Sequence, residues 1–115
     1  MNLQHLSDKF NESGRLIIAD KEKNILNLER KIIISLFEKY GVLLFRGFKN
    51  IENNILQFTD KFTSTYANDA QRREKKMNSD KIHGVDPGNL EMPMHSEASY
   101  SPSWPDIIWF FCKKA

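Results

Sequence analysis

One cysteine, Cys112, stands in a chain of 115 residues, so no intrachain disulfide can form and nothing points to an oxidising compartment. Its place at the end of Ile107-Ile-Trp-Phe-Phe-Cys112 reads as that of a small buried thiol rather than a reactive one. No apolar run approaches the roughly 20 residues that a membrane-crossing helix needs. The start, Met1-Asn-Leu-Gln-His-Leu-Ser-Asp-Lys9, lacks the cationic segment and apolar core of a secretory signal. The expectation is a soluble, cytoplasmic protein with no membrane partner. An excess of one charge is also lacking: 17 Lys and Arg face 15 Asp and Glu, for a net charge of +2. The one dense basic run, Arg72-Arg-Glu-Lys-Lys76, lies in a polar stretch from Asn68 to Lys81. It has no aromatic platforms beside it, so it reads as a solvated loop, and no nucleic-acid partner is expected. Repeats, low-complexity tracts and shifts of composition are absent, which leaves one small domain.

What is present is a set of alternating apolar segments. Arg15-Leu-Ile-Ile-Ala19 is a short β-branched run that fits a strand, with Ser13-Gly14 as the turn before it. From Asn24 to Tyr40 the positions Ile25, Leu28, Ile32, Leu36 and Tyr40, with Ile33 and Phe37 alongside, recur at spacings of three and four. That spacing predicts an amphipathic helix closed by Gly41 in the left-handed position, with a new element starting at Val42. Val42-Leu-Leu-Phe45 is apolar throughout, as a strand buried on both faces would be, and Arg46-Gly47 ends it. Asn50 is placed to cap a second helix carrying Ile51, Ile55, Phe58, Phe62 and Tyr66, with one face packed on the sheet. Between Asn68 and Leu90, which include Gly84 and Asp86-Pro-Gly88, no period is visible; a lid over a site and a plain loop both fit.

Chemistry concentrates near the end of the chain. His95 and Glu97 stand two residues apart before the apolar run Ile107 to Cys112. In an extended segment, residues i and i+2 share a side, so the imidazole and the carboxylate can converge on one ion. Two histidines and one carboxylate on one face of a metal, with the remaining positions open, are the ligand set of non-haem Fe(II) oxygenases. The pair alone is a weak signal, since three histidines among fifteen acidic residues produce such spacing readily. His83, in Lys81-Ile-His-Gly84, has no ligand spacing to His95, and His5 lies near a terminus, so neither is taken as a ligand.

The context is more specific. Met92 to Cys112, with its His-Ser-Glu, the following Ala-Ser-Tyr-Ser-Pro-Ser-Trp-Pro and the Ile107 to Cys112 strand, resembles the TauD/TfdA-like family of Fe(II)- and 2-oxoglutarate-dependent dioxygenases. Gly41-Val-Leu-Leu-Phe-Arg-Gly-Phe48 is similar to that family's early strand. Glu97 resembles the Glu-bearing, clavaminate-synthase-like branch rather than the Asp-bearing taurine branch. The likeness spans Gly41 to Ala115 and leaves residues 1–40, an N-terminal strand and helix, unmatched.

The resemblance implies an α+β fold that is the N-terminal half of a double-stranded β-helix, or jelly roll, with two flanking helices and the C-terminal half absent. It implies Fe(II) held by His95 Nε2 and a Glu97 oxygen, with 2-oxoglutarate as cosubstrate, consumed to succinate and carbon dioxide as a small polar or amino-acid-like substrate is oxidised. A third ligand, a late histidine, is implied beyond Ala115. So are a threonine in a Gly-Gly-x-Thr-type turn and an arginine for the cosubstrate's far carboxylate, and no cosubstrate-binding residue is assigned within the chain. A chain of this kind alone is expected to be inactive, and to self-associate or to need a complementing C-terminal polypeptide. The alternative compatible with the same residues is a non-catalytic interaction module that pairs an exposed strand edge with another chain, or a pseudogene-derived fragment of that fold. Trp104, Trp109, Phe110 and Phe111 read as core and inter-sheet packing, and Pro93, Pro102 and Pro105 as fixing extended backbone around the metal strand.

Overall fold

A computed structural model describes residues 1–6, 13–66, 75–76, 79–84, 91–98, 102 and 104–114. The chain divides into two compact units, Met1–Phe62 and Thr63–Ala115. The architecture is mixed α+β.

In the first unit, β1 (Asn2–His5), β2 (Arg15–Ile18) and β3 (Leu43–Arg46) form a three-stranded sheet in the order β1-β2-β3. β1 pairs antiparallel with β2, placing Leu3 opposite Ile17, and β2 pairs parallel with β3, placing Ile17 opposite Phe45. Bonds from Arg15 N to the Val42 carbonyl and from Ala19 N to the Arg46 carbonyl, both 2.9 Å, complete the parallel ladder at its two ends. A parallel pair needs a crossover, and here it contains a single 3₁₀ turn (Ile25–Asn27) and helix α1 (Arg30–Tyr40). After β3, helix α2 (Ile51–Asp60) turns back so that Phe58 meets Phe45 edge-on, with ring centroids 5.5 Å apart, and Phe62 at 5.1 Å. Ile17 and Phe58 are both 0 % exposed; Ala19, Ile25, Leu28 and Ile33 complete the buried apolar set.

Gly41 closes α1 as expected. Its φ is +73°, which glycine adopts without a Cβ clash, and its N–H donates to the Phe37 carbonyl at 2.7 Å. Gly14 does the same ahead of β2 at φ +76°, where a Cβ would come within 2.7 Å of Leu6 Cδ2. Arg15 also lays its guanidinium 3.7 Å from the centroid of the Tyr40 ring, tying the start of β2 to the end of α1.

Several elements depart from the sequence reading. The helix expected over 24–40 starts instead at Arg30. Asn24 Oδ1 accepts from Leu26 N at 3.0 Å and caps only the 3₁₀ turn, after which Leu28 and Glu29 are extended. Lys61 Nζ donates to the carbonyls of Leu26 and Leu28, at 2.8 and 2.9 Å, and those are acceptors that a continuous helix would have spent on its own N–H groups. Asn50 makes no side-chain cap; it sits in the left-handed region at φ +53°, and its carbonyl accepts from Asn53 and Asn54. α2 ends at Asp60, so Phe62 and Tyr66 lie beyond it. Strand β3 is not buried on both faces: Leu43 and Phe45 are half-buried while Val42, Leu44 and Arg46 are exposed. β1 carries no strand pattern in its sequence, since Asn-Leu-Gln-His is mostly polar and wholly exposed, and it is defined by its antiparallel pairing with β2.

In the second unit, β4 (Lys75–Lys76) and β5 (Ser79–His83) form a two-stranded antiparallel sheet with an irregularity at Lys75/Lys76, so part of the stretch expected to be a loop is paired. Arg72, Arg73 and Asp86-Pro-Gly88 lie outside the described residues. The strand expected at Ile107 to Cys112 has no ladder partner among the described residues, yet its side chains alternate: Ile107, Trp109 and Phe111 are half-buried, Ile108, Phe110 and Cys112 exposed. Cys112 is thus an exposed thiol rather than a buried one, and Trp104 and Phe110, the latter 81 % exposed, are not core residues. Without a paired neighbour and a facing layer, an extended apolar segment has only one side to bury. No helix among the described residues is long and apolar enough to cross a membrane.

Phe58→Ala removes the fully buried ring between β3 and the end of α2 and should cost about 3–5 kcal/mol in urea unfolding followed by circular dichroism. Lys61→Met keeps the stem but leaves the Leu26 and Leu28 carbonyls without their charged donor. It should cost about 1.5–3 kcal/mol in the same measurement and lengthen α1 toward Asn24.

Candidate metal site

Residues 91–96 have no regular structure and are exposed, and Glu97 and Ala98 form a turn. His95 and Glu97 are brought together: Nε2 of the ring stands 3.5 Å from Glu97 Oε1, with the two side chains 46 % and 38 % exposed. The means of their meeting differs from the strand alternation expected. The pair lies in a segment that is neither strand nor helix, and a turn begins at Glu97, with Ala98 at φ +52°.

The other ring nitrogen settles the tautomer. His95 Nδ1 lies 2.8 Å from the Pro93 carbonyl oxygen. A carbonyl only accepts, so Nδ1 carries a hydrogen in every protonation state and Nε2 is the atom that gains or loses the proton. In the neutral ring the Nε2 lone pair therefore faces a carboxylate oxygen at 3.5 Å, an arrangement of two electron-rich atoms that a cation between them would relieve. Two donors at right angles about 2.1 Å from an ion stand about 3 Å apart, so a small closing movement would bring both into coordination. A backbone acceptor on the far nitrogen is also the usual way a ligating histidine is oriented. The donor pair fits a divalent first-row metal. It is two donors only: no group of three or more His, Cys, Asp or Glu converges among the described residues. His5 lies on β1 and His83 on β5.

The proton sits comfortably at the same place. The Pro93 carbonyl is the main reason the His95 imidazolium is held above its ordinary value; desolvation opposes it, and the hydrogen bond and charge of Glu97 add smaller contributions in the same direction as Pro93.

The chain matches the model of the family described as Taurine catabolism dioxygenase TauD, TfdA family, over residues 4–115. It belongs to the TauD/TfdA family. The TauD/TfdA match starts within β1, at Gln4, and takes in β2 and α1 as well as the part from Gly41 onward. Members of the TauD/TfdA family are in general Fe(II)- and 2-oxoglutarate-dependent dioxygenases, so at the level of the family the chain is of an oxidoreductase type. No curated protein and no solved structure matches it.

Two features of this TauD/TfdA chain had no signal in the sequence. Nothing in Met-Pro-Met-His announces that the Pro93 carbonyl will hold the ring of His95, and no residue preference marks Ala98 as the point of reversal. A third feature lies in the first unit, where Lys21, Lys23, Lys49 and Asn50 help to line an open cleft of about 340 Å³ beside the start of α2. None of the sequence-derived candidate residues lies in it.

Titration of the metal-free chain by NMR should give His95 a midpoint above that of an unperturbed histidine. Glu97→Gln should lower that midpoint while leaving it raised, because the Pro93 carbonyl is the larger cause. A midpoint at or below the ordinary value in the unaltered chain would contradict the observed geometry.

Proposed function

We propose that the chain contributes the His-x-Glu part of an Fe(II)/2-oxoglutarate dioxygenase site, with His95 Nε2 and one Glu97 oxygen as two of its three protein ligands. The single observation that supports this reading is the fixed tautomer of His95, whose Nε2 lone pair is turned toward the Glu97 carboxylate by the bond from Nδ1 to Pro93. Family membership supplies the chemistry: when bound, iron and 2-oxoglutarate would couple oxygen activation to oxidative decarboxylation, with succinate and carbon dioxide as products. The residues of the chain itself orient the imidazole, set one negative charge beside it and keep that charge accessible to the ion. The net charge of the donor pair is −1 once the ring is neutral, which lowers the charge of a divalent ion without cancelling it and suits an anionic cosubstrate.

The fold we infer for the whole site is a double-stranded β-helix of the clavaminate-synthase-like, Glu-bearing branch, and the substrate a small polar or amino-acid-like molecule. A third ligand, and the threonine and arginine expected to hold 2-oxoglutarate, are not assigned to any residue here. A second reading, a non-catalytic module that pairs with another chain, is favoured by one observation: β3 ends the described sheet order with Val42 and Leu44 exposed, and Ile108 and Phe110 are exposed in the second unit.

Metal binding by the chain separates these readings. Equilibrium dialysis against Fe(II) under anaerobic conditions should give weak binding, as two donors dictate, that falls by about 10–100-fold in His95→Ala and in Glu97→Ala. Tight binding untouched by either substitution would place the metal elsewhere. No binding at all, with concentration-dependent association in sedimentation, would favour the interaction module.

A further inference from the structure

Among the described residues only Asn50 and Ala98 are non-glycine residues with positive φ. Asparagine is at home there, because its short polar side chain can bond locally. Alanine has no such compensation: its Cβ approaches the next carbonyl oxygen at a cost of about 1–2 kcal/mol, and such strain persists only where the surroundings over-determine it. Ala98 is also buried, at 6 % exposed, after a run, 91–96, whose residues are all exposed, and the half-buried Glu97. Strain and burial coincide on the residue that follows Glu97.

We propose that Ala98 is a positioning residue for the Glu97 carboxylate, its buried methyl and left-handed backbone together fixing the direction from which Glu97 meets His95; this rests on the ligand reading above. The methyl anchors one end of the peptide plane that joins Glu97 to Ala98. The angle φ is the rotation about the Ala98 N–Cα bond, so it sets where the Glu97 carbonyl carbon stands relative to the Ala98 methyl. With φ negative and the methyl kept in its buried place, that carbon would swing away and the Glu97 Cα would have to move. Metal ligands tolerate displacements of only about 0.2 Å, so a shift of that kind falls on coordination rather than on folding. Glycine would enter this conformation freely but would also leave it freely, since it populates both signs of φ. Alanine, once buried, holds one of them.

The test uses Co(II) as the probe metal and the unaltered chain, Ala98→Gly and Ala98→Val, with His95→Ala and Glu97→Ala as references. Valine is branched at Cβ and strongly disfavours positive φ. Far-UV circular dichroism should be the same for all. Ala98→Val should lose about tenfold or more in Co(II) affinity, comparable to loss of a supporting partner of a ligand, and Ala98→Gly, which keeps access to positive φ but lacks the anchoring methyl, should lose less, about threefold. In the metal-free chain, the NMR cross-peak between the His95 ring and the Glu97 side chain should weaken in Ala98→Gly and disappear in Ala98→Val. Should Ala98→Val lose its circular dichroism, Ala98→Pro, whose ring forbids positive φ, takes its place in both measurements. Retention of affinity and of the cross-peak in the substitution that removes positive φ overturns the role of Ala98. If His95→Ala leaves Co(II) binding unchanged, the ligand reading fails on its own, and the cross-peak still decides whether Ala98 sets the approach of the two side chains.

Discussion

The parallel pairing of β2 with β3 is the constraint on which the first unit depends. Two parallel strands cannot be joined by a tight turn, so the chain between Ile18 and Leu43 must leave the sheet and return to the same end. That requirement gives α1 its place, and it makes β2 a central strand with β1 along its other edge. Ile17, at the middle of β2, is fully buried, and its register partner Phe45 is the surface onto which Phe58 closes. Lys61, at the end of α2, then reaches back to the carbonyls of Leu26 and Leu28, while Arg30 Nε donates to the Lys61 carbonyl at 2.7 Å. Crossover and second helix thus hold each other by groups that neither could satisfy alone.

The candidate site is organised differently. Its geometry rests on a few local features: the Nδ1 bond to Pro93, the 3.5 Å approach of Nε2 to Glu97, and the turn at Glu97 and Ala98. None requires a regular element, which explains how two side chains can converge in a segment without strand or helix. The same bond that turns Nε2 toward Glu97 also stabilises the imidazolium, so a metal bound there would compete with the proton for one lone pair. The carbonyl of Pro93 strengthens the proton's side of that competition.

What was legible in the sequence followed from periodicity and from residue types with narrow conformational range. The β-branched run in β2, the three-and-four spacing of α1 and α2, and Gly41 as helix terminator were all readable, because each depends on neighbours close in the chain. The errors lie where distant groups decide. Ile25 and Leu28 continue the helical spacing, yet Lys61, more than 30 residues later, takes the carbonyls of Leu26 and Leu28 and the helix starts at Arg30. β1 has polar composition and exists through its ladder with β2. Val42-Leu-Leu-Phe45 looked doubly buried because apolar composition alone cannot say how many layers face a strand, and the exposed sides of Val42 and Leu44 show one.

The sequence by itself determined the family, through the order of Gly41 to Phe48 and Met92 to Cys112, and the identity of the two candidate ligands, since only His95 and Glu97 combine ligand chemistry with ligand spacing. The α+β composition was likewise carried by local pattern. Tertiary structure decided which strands pair and in which direction, where α1 begins, and that His95 meets Glu97 in a segment without regular structure that leads into a turn. The physical reason is common to all three. Hydrogen bonds to backbone carbonyls, from Lys61 in one unit and from His95 in the other, carry no side-chain signature at the residue that accepts them, so their consequences appear only once the chain is folded.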